Sequence, residues 1–109
     1  MPTDTRTAEY ILEQLQELPY VRVRKMFGEY ALYCDEKVVG LICDDQLYIK
    51  YTDAGTEYAQ KRFIEGTAYP GAKPSMNVTD YIDDREFLST LVRLTATSLP
   101  LPKKKLKKI

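Results

Sequence analysis

The sequence predicts a two-layer α+β domain, an antiparallel sheet of about five strands with helices packed on one face. Three observations carry that prediction. Apolar residues recur at helical spacing near both ends of the chain, they alternate with polar ones between residues 21 and 51, and Asp-containing breaks divide that middle stretch. The predicted order is helix, three to four strands, helix, strand, helix.

Residues 4–18 place Ala8, Ile11, Leu12, Leu15 and Leu18 on one stripe and Glu9, Glu13 and Glu17 on other faces, the pattern of an amphipathic helix. Thr3-Asp4-Thr5 supplies oxygens for its free N–H groups, and Pro19 cannot continue it. From Val21 the period becomes two. Val21 and Val23 alternate with Arg22 and Arg24, and Tyr30, Leu32 and Cys34 alternate with Glu29, Ala31 and Tyr33. Phe27-Gly28 falls between these two patterns, where glycine supplies a bend or a positive φ.

Val38 to Cys43 is almost continuously apolar, and Leu47, Ile49 and Tyr51 then alternate with Tyr48 and Lys50. With Glu36-Lys37 as a two-residue loop, Cys34 opposes Val39, Leu32 opposes Leu41 and Tyr30 opposes Cys43, all on one face. Leu47, Ile49 and Tyr51 join that face only if the next loop holds an odd number of residues. Asp44 to Gln46 fits, with an Asp in the left-handed region making a bulge. This register separates Cys34 and Cys43 by on the order of 10 Å, too far for a disulfide. Both read as reduced thiols packed as small hydrophobes.

Thr52-Asp53 caps a shorter helix that turns Ala54, Tyr58, Ala59 and Phe63 inward. Residues 66–74 hold two prolines and two glycines and read as a loop, followed by a short strand from Ser75 to Thr79 with Met76 and Val78 on one face. A last helix opens with Asp83 in the cap role and Glu86 three positions on. It carries Phe87, Leu88, Leu91, Val92 and Thr95 inward and ends at Leu99-Pro100-Leu101-Pro102. The expected organisation is one domain over 1–102 and a basic tail over 103–109, without internal repeats.

Acidic and basic residues balance at 16 each across 109 residues, so no global field draws the chain to nucleic acid or membrane. No apolar segment reads as a secretion signal or a membrane span, and a cytoplasmic location is expected. The chain contains no histidine, no P-loop and no nucleophile elbow. Two distant cysteines without histidine do not make a zinc site. The carboxylate pairs Asp44-Asp45 and Asp83-Asp84 sit where a turn and a helix cap account for them. The expectation is a non-enzymatic chain with no catalytic residues, no metal and no cofactor.

Two features speak for nucleic acid. One is the lysine cluster Lys103, Lys104, Lys105, Lys107 and Lys108, and the other is the interleaving of Arg22, Arg24, Lys25, Tyr33, Tyr48 and Lys50 on strands. The plainer readings are a solvated tail and half-buried sheet tyrosines. Lys25 to Leu32 also has Met26, Glu29 and Leu32 where an RNA-recognition strand has glycine and aromatics.

The motifs Arg24-Lys25-Met26-Phe27-Gly28, Tyr30-Ala31-Leu32-Tyr33, Asp44-Asp45-Gln46-Leu47-Tyr48-Ile49-Lys50, Tyr69-Pro70 and Ser75-Met76, in this order, resemble the TfoX/Sxy N-terminal domain. The resemblance runs from about residue 8 to residue 98. It implies the same α+β architecture, with a sheet related to that of secretion-chaperone-like proteins, and a regulatory association in bacteria. Full-length members are positive regulators of natural-competence genes, associated with the cyclic-AMP receptor protein at its promoters. Those regulators carry a second, C-terminal domain, whereas this chain ends at Ile109. The resemblance therefore implies a stand-alone member, to which the competence role does not carry over whole. Glu29 and Ala31 stand where the family pattern usually has glycine, which implies a different strand bend. The family brings no established catalytic residues.

The functional expectation is a regulatory or protein-binding module whose partner belongs to the transcription machinery. The expected interface is Arg24, Lys25, Phe27, Gly28, Tyr33, Tyr48 and Lys50, which combine aromatic with cationic groups. The alternative is direct nucleic-acid binding through the lysine tail and these strand residues. Homodimerisation through an exposed sheet edge stays open, and no membrane partner is expected.

Overall fold

The strand-length alternation in the middle of the chain builds most of one open antiparallel sheet, in a computed structural model that describes residues 3–100. The first helix, α1, spans Thr5–Gln14 and starts at Asp4, whose carboxylate accepts the Arg6 N–H. It is shorter than its apolar stripe, because beyond Leu15 the chain tightens into turns that bring Leu18 back to bond the Leu15 carbonyl. Strands β1 (Val21–Met26), β2 (Glu29–Cys34), β3 (Lys37–Cys43) and β4 (Gln46–Ile49) follow as a meander. Helix α2 (Asp53–Ala59) leads to β5 (Ile64–Thr67) and β6 (Pro74–Asn77). A 3₁₀ turn at Thr79–Tyr81 precedes α3 (Arg85–Ser98). The sheet has six strands in the order β1-β2-β3-β4-β6-β5.

The helices cover one face. Leu32, Val39, Ile42, Leu47, Ile49, Met76 and Val78 from the sheet meet Ile11, Leu15, Phe87, Leu88, Leu91 and Val92 from the helices in one buried cluster. Each of these larger side chains contributes about 1.5–3 kcal/mol by leaving water. No helix among the described residues is long and apolar enough to cross a membrane.

Three local expectations are corrected. The hairpin loops are Asp35-Glu36 and Asp44-Asp45, with Cys34 opposite Lys37 and Cys43 opposite Gln46. All four loop residues have φ between 54° and 66°, the left-handed pair that matches the twist of the flanking strands. The odd residue lies inside β3 instead of in the second loop. Tyr33 opposes Val38 while Leu32 opposes Gly40, so Val39 is the extra residue of a bulge. Val39 and Ile42 therefore enter the core, whereas Leu41 and Cys43 do not belong to it. Both cysteines are free and buried, and burial pushes both thiols up, so neither is a ready nucleophile.

The second correction is β5, whose Gly66-Thr67 falls in the stretch expected to be loop. It pairs with β6 at Ile64–Asn77 and Gly66–Ser75. As an edge strand with Ile64, Glu65 and Thr67 exposed, it has no buried face to print an alternation on the sequence. The third is the cap of α3. Asp84 accepts the Phe87 N–H, one residue later than expected, while Asp83 accepts the Tyr10 hydroxyl and ties α1 to the start of α3.

Candidate functional site

Covering one face with helices leaves the other open. Across it, register places Arg24, Ala31, Leu41, Tyr48 and Asn77 in one row over β1, β2, β3, β4 and β6. Tyr33 stands beside that row with the Arg22 guanidinium over its ring at 4.1 Å. Arg22 also meets Glu36 at 3.2 Å. Lys50, two residues after Tyr48, shares a recess with Leu41. The structure thus brings Arg24, Tyr33, Tyr48 and Lys50 of the expected interface to one face. Lys25 opposes Tyr30, a core residue, and sits on the helix side of β1, apart from them.

Phe27 and Gly28 form the tip of the β1–β2 hairpin, a two-residue loop between Met26 and Glu29 with φ of 53° and 82°. Glycine takes this conformation freely, whereas the Cβ of phenylalanine makes it cost about 1 kcal/mol. The Phe27 ring receives nothing in return from the fold, since it is 103% exposed. Beside it, Met26, Phe27, Leu41, Cys43, Ala68 and Tyr69 line an apolar groove of about 420 Å³ that Glu29 and Tyr30 complete. The segment after β5 thus reaches over the open face of the central strands.

The tip is clamped from beneath. One oxygen of Glu29, Oε1, accepts from the Thr3 N–H at 3.1 Å, the Thr3 hydroxyl at 2.5 Å and the Asp44 N–H at 3.0 Å. The Thr3 N–H also reaches the Gly28 carbonyl at 3.0 Å. Asp45 Oδ1 accepts from the Asp4 N–H and the Thr7 hydroxyl, each at 2.8 Å. The start of α1 thereby fastens both hairpin turns at this end of the sheet. Partial burial works against charge on Glu29, but these bonds prevail and hold its carboxyl below the ordinary value.

Thr3, Met26, Glu29, Asp45 and Tyr69 were absent from the expected interface. Glu29 carried the one available signal, standing where the family pattern has glycine. Asp45 and Tyr69 stood in motifs of the family resemblance, but by their residue types read as a turn residue and part of a loop. Among the described residues no group of His, Cys, Asp or Glu side chains comes together to hold a metal ion. The expected tail contacts, Lys103 to Lys108, lie outside the described residues. What the open face offers is apolar area, aromatic rings and cations, the residue types that anchor recognition.

A family model described as the TfoX N-terminal domain matches residues 13–98. A curated relative is the "Uncharacterized 12.7 kDa protein in trpE 5'region" of Spirochaeta aurantia, 45% identical over 103 residues, which span 94% of this chain and 89% of that one.

Proposed function

The chain belongs to the TfoX N-terminal domain family, and from that premise we propose that it is a non-enzymatic regulatory module that docks a protein of the transcription machinery. The docking surface is the hairpin tip at Phe27 with the apolar groove between Met26 and Tyr69, and the cations Arg22 and Arg24 lie on the same sheet face. One observation carries this reading. Phe27 is wholly exposed and held at a backbone angle that disfavours it, so folding stability supplies no reason for an aromatic there, whereas burial against a partner does.

The test is capture from a nuclease-treated bacterial lysate on the immobilised full chain, with bound proteins identified by mass spectrometry. Phe27→Asn should cut recovery of a transcription protein at least tenfold, and Tyr20→Ala, an exposed aromatic at the far end of β1, should leave it unchanged. Equal recovery with Phe27→Asn would overturn the assignment of the tip. Recovery that disappears with nuclease would favour the direct nucleic-acid reading, which further requires a steep loss of binding as salt rises.

A further inference from the structure

Leu41, Ala68 and Tyr69 wall not only the groove beside Phe27 but also a second recess of about 630 Å³ on the same face. This volume lies within the range of small-molecule sites. Lys50 and Lys73 both line it, and none of its lining residues is acidic. Neither ammonium has a carboxylate partner among the described residues. Both side chains are exposed at the rim of the recess, and partial burial, followed by the neighbouring Lys73, holds Lys50 below the usual lysine range. The remaining wall is largely apolar and aromatic, with Tyr51, Tyr69 and Leu99 around it. The Tyr51 hydroxyl is already committed to Glu65 at 2.6 Å.

We propose that this recess binds a small organic phosphate monoester, its phosphoryl group between Lys50 and Lys73 and its apolar or aromatic body against Tyr69 and Leu99. Two unpaired ammonium groups favour a dianion over a monoanion, and a phosphate monoester carries about −1.5 to −2 charges at neutral pH. The apolar wall favours a ligand with a body over a bare ion. This site rests on Lys50 and Lys73, not on Phe27, and stands independently of the partner docked at the hairpin tip.

The experiment is calorimetric titration of the full chain with phenyl phosphate, inorganic phosphate, benzoate and adenosine monophosphate. Phenyl phosphate should bind saturably and at least tenfold more tightly than benzoate, which has the same ring and a single charge. Inorganic phosphate should also bind more weakly, because it lacks the body. Adenosine monophosphate separates a nucleotide site from one for smaller esters. Binding as tight as phenyl phosphate assigns nucleotides, and weaker binding assigns smaller esters, both within the proposal. Lys50→Met and Lys73→Met keep the aliphatic stems and should each weaken phenyl phosphate at least tenfold, while Lys61→Met, at an exposed lysine outside the recess, should not change it. Circular dichroism confirms that each variant is folded. Absence of saturation up to about 10 mM, benzoate binding equal to phenyl phosphate, or indifference to both lysine substitutions would each overturn the proposal.

Discussion

At Phe27 the demands of folding and recognition part company. The tip takes the left-handed pair of angles for which Asn-Gly is the favoured sequence, and phenylalanine there costs about 1 kcal/mol. Phe27→Asn should therefore stabilise the domain by about 1 kcal/mol, raising Tm by roughly 4–8 °C for a domain of this size. Thermal unfolding followed by circular dichroism checks it, and a lower Tm would mean that the ring packs on the fold after all. Gain of stability together with loss of partner binding is the signature of a residue placed for contact. Glu29 gives a second test. Its carboxyl titrates below the ordinary 4.5 in the folded chain, so the folded state binds its proton less readily than the unfolded state does. The resulting stability is complete above the unfolded value and disappears as pH falls through the folded one. Urea unfolding at stepped pH should show a loss on acidification below about pH 4.5 that is smaller in Glu29→Gln, and identical slopes in the two proteins would contradict the clamp. Sequence reading could mark Glu29 as unusual but not find its role. The Thr3 that fastens it lies 26 residues away, and no local spacing reports such a contact.

At the scale of elements, what could be read was the parity of the sheet, and what could not was where the odd residue sits. Strands β2 and β4, with Glu29, Tyr33, Gln46 and Tyr48 half-buried on the outward side, announce their inward residues by alternation. The run from Val38 to Cys43 is apolar throughout, so it does not say which residues face the helices. The single hint is Gly40, a residue that weakens an ordinary strand and often marks a bulge or a close approach. Here it marks both. A Cβ on Gly40 would stand 2.1 Å from the Tyr48 carbonyl oxygen and 3.1 Å from the Ile49 Cδ1. The oxygen belongs to the paired strand's backbone and cannot swing aside, so β3 and β4 would have to separate. Gly40→Ala should cost about 3 kcal/mol or more, read as a lower denaturant midpoint with an unchanged m-value. A loss below about 1 kcal/mol would mean that the bulge is free to slide along β3. The misplaced cap of α3 has a similar origin. Asp83 and Asp84 are equally good caps by composition, and only the contact of Tyr10 with Asp83 separates their roles.

For the whole molecule, the two-layer plan was legible because burial on one side imprints the helical stripes and the strand alternation together. The open face was not, because the buried residues on it, Ala31 and Cys43, are too few and too small to print an alternation. Its shape depends on β5 coming to the edge of the sheet and on residues 68–73 lying over strands far away in sequence. The same asymmetry sets how the molecule should open. Strands β2, β3 and β4 are flanked on both edges and covered by the helical core, so their central amides exchange only when most of that core is lost. Strand β5 pairs with β6 alone, and Ile64, Glu65 and Thr67 are exposed. Lifting β5 together with residues 68–73 gives up little buried apolar area, since the core cluster and the side chains packed on it include nothing from this stretch. Such a segment opens locally at lower free energy than the whole domain unfolds. In native-state hydrogen exchange, amides of β5 bonded to β6 should exchange on the order of 100-fold faster than those of Leu32 and Ile42. Low denaturant should accelerate the slow set and leave the fast set nearly unchanged, because the local opening exposes little surface. Equal rates and equal denaturant dependence in the two sets would show instead that β5 is a full member of the cooperative unit. The floor of both grooves would then be joined to the core as one rigid body, and docking at the tip could not loosen the edge.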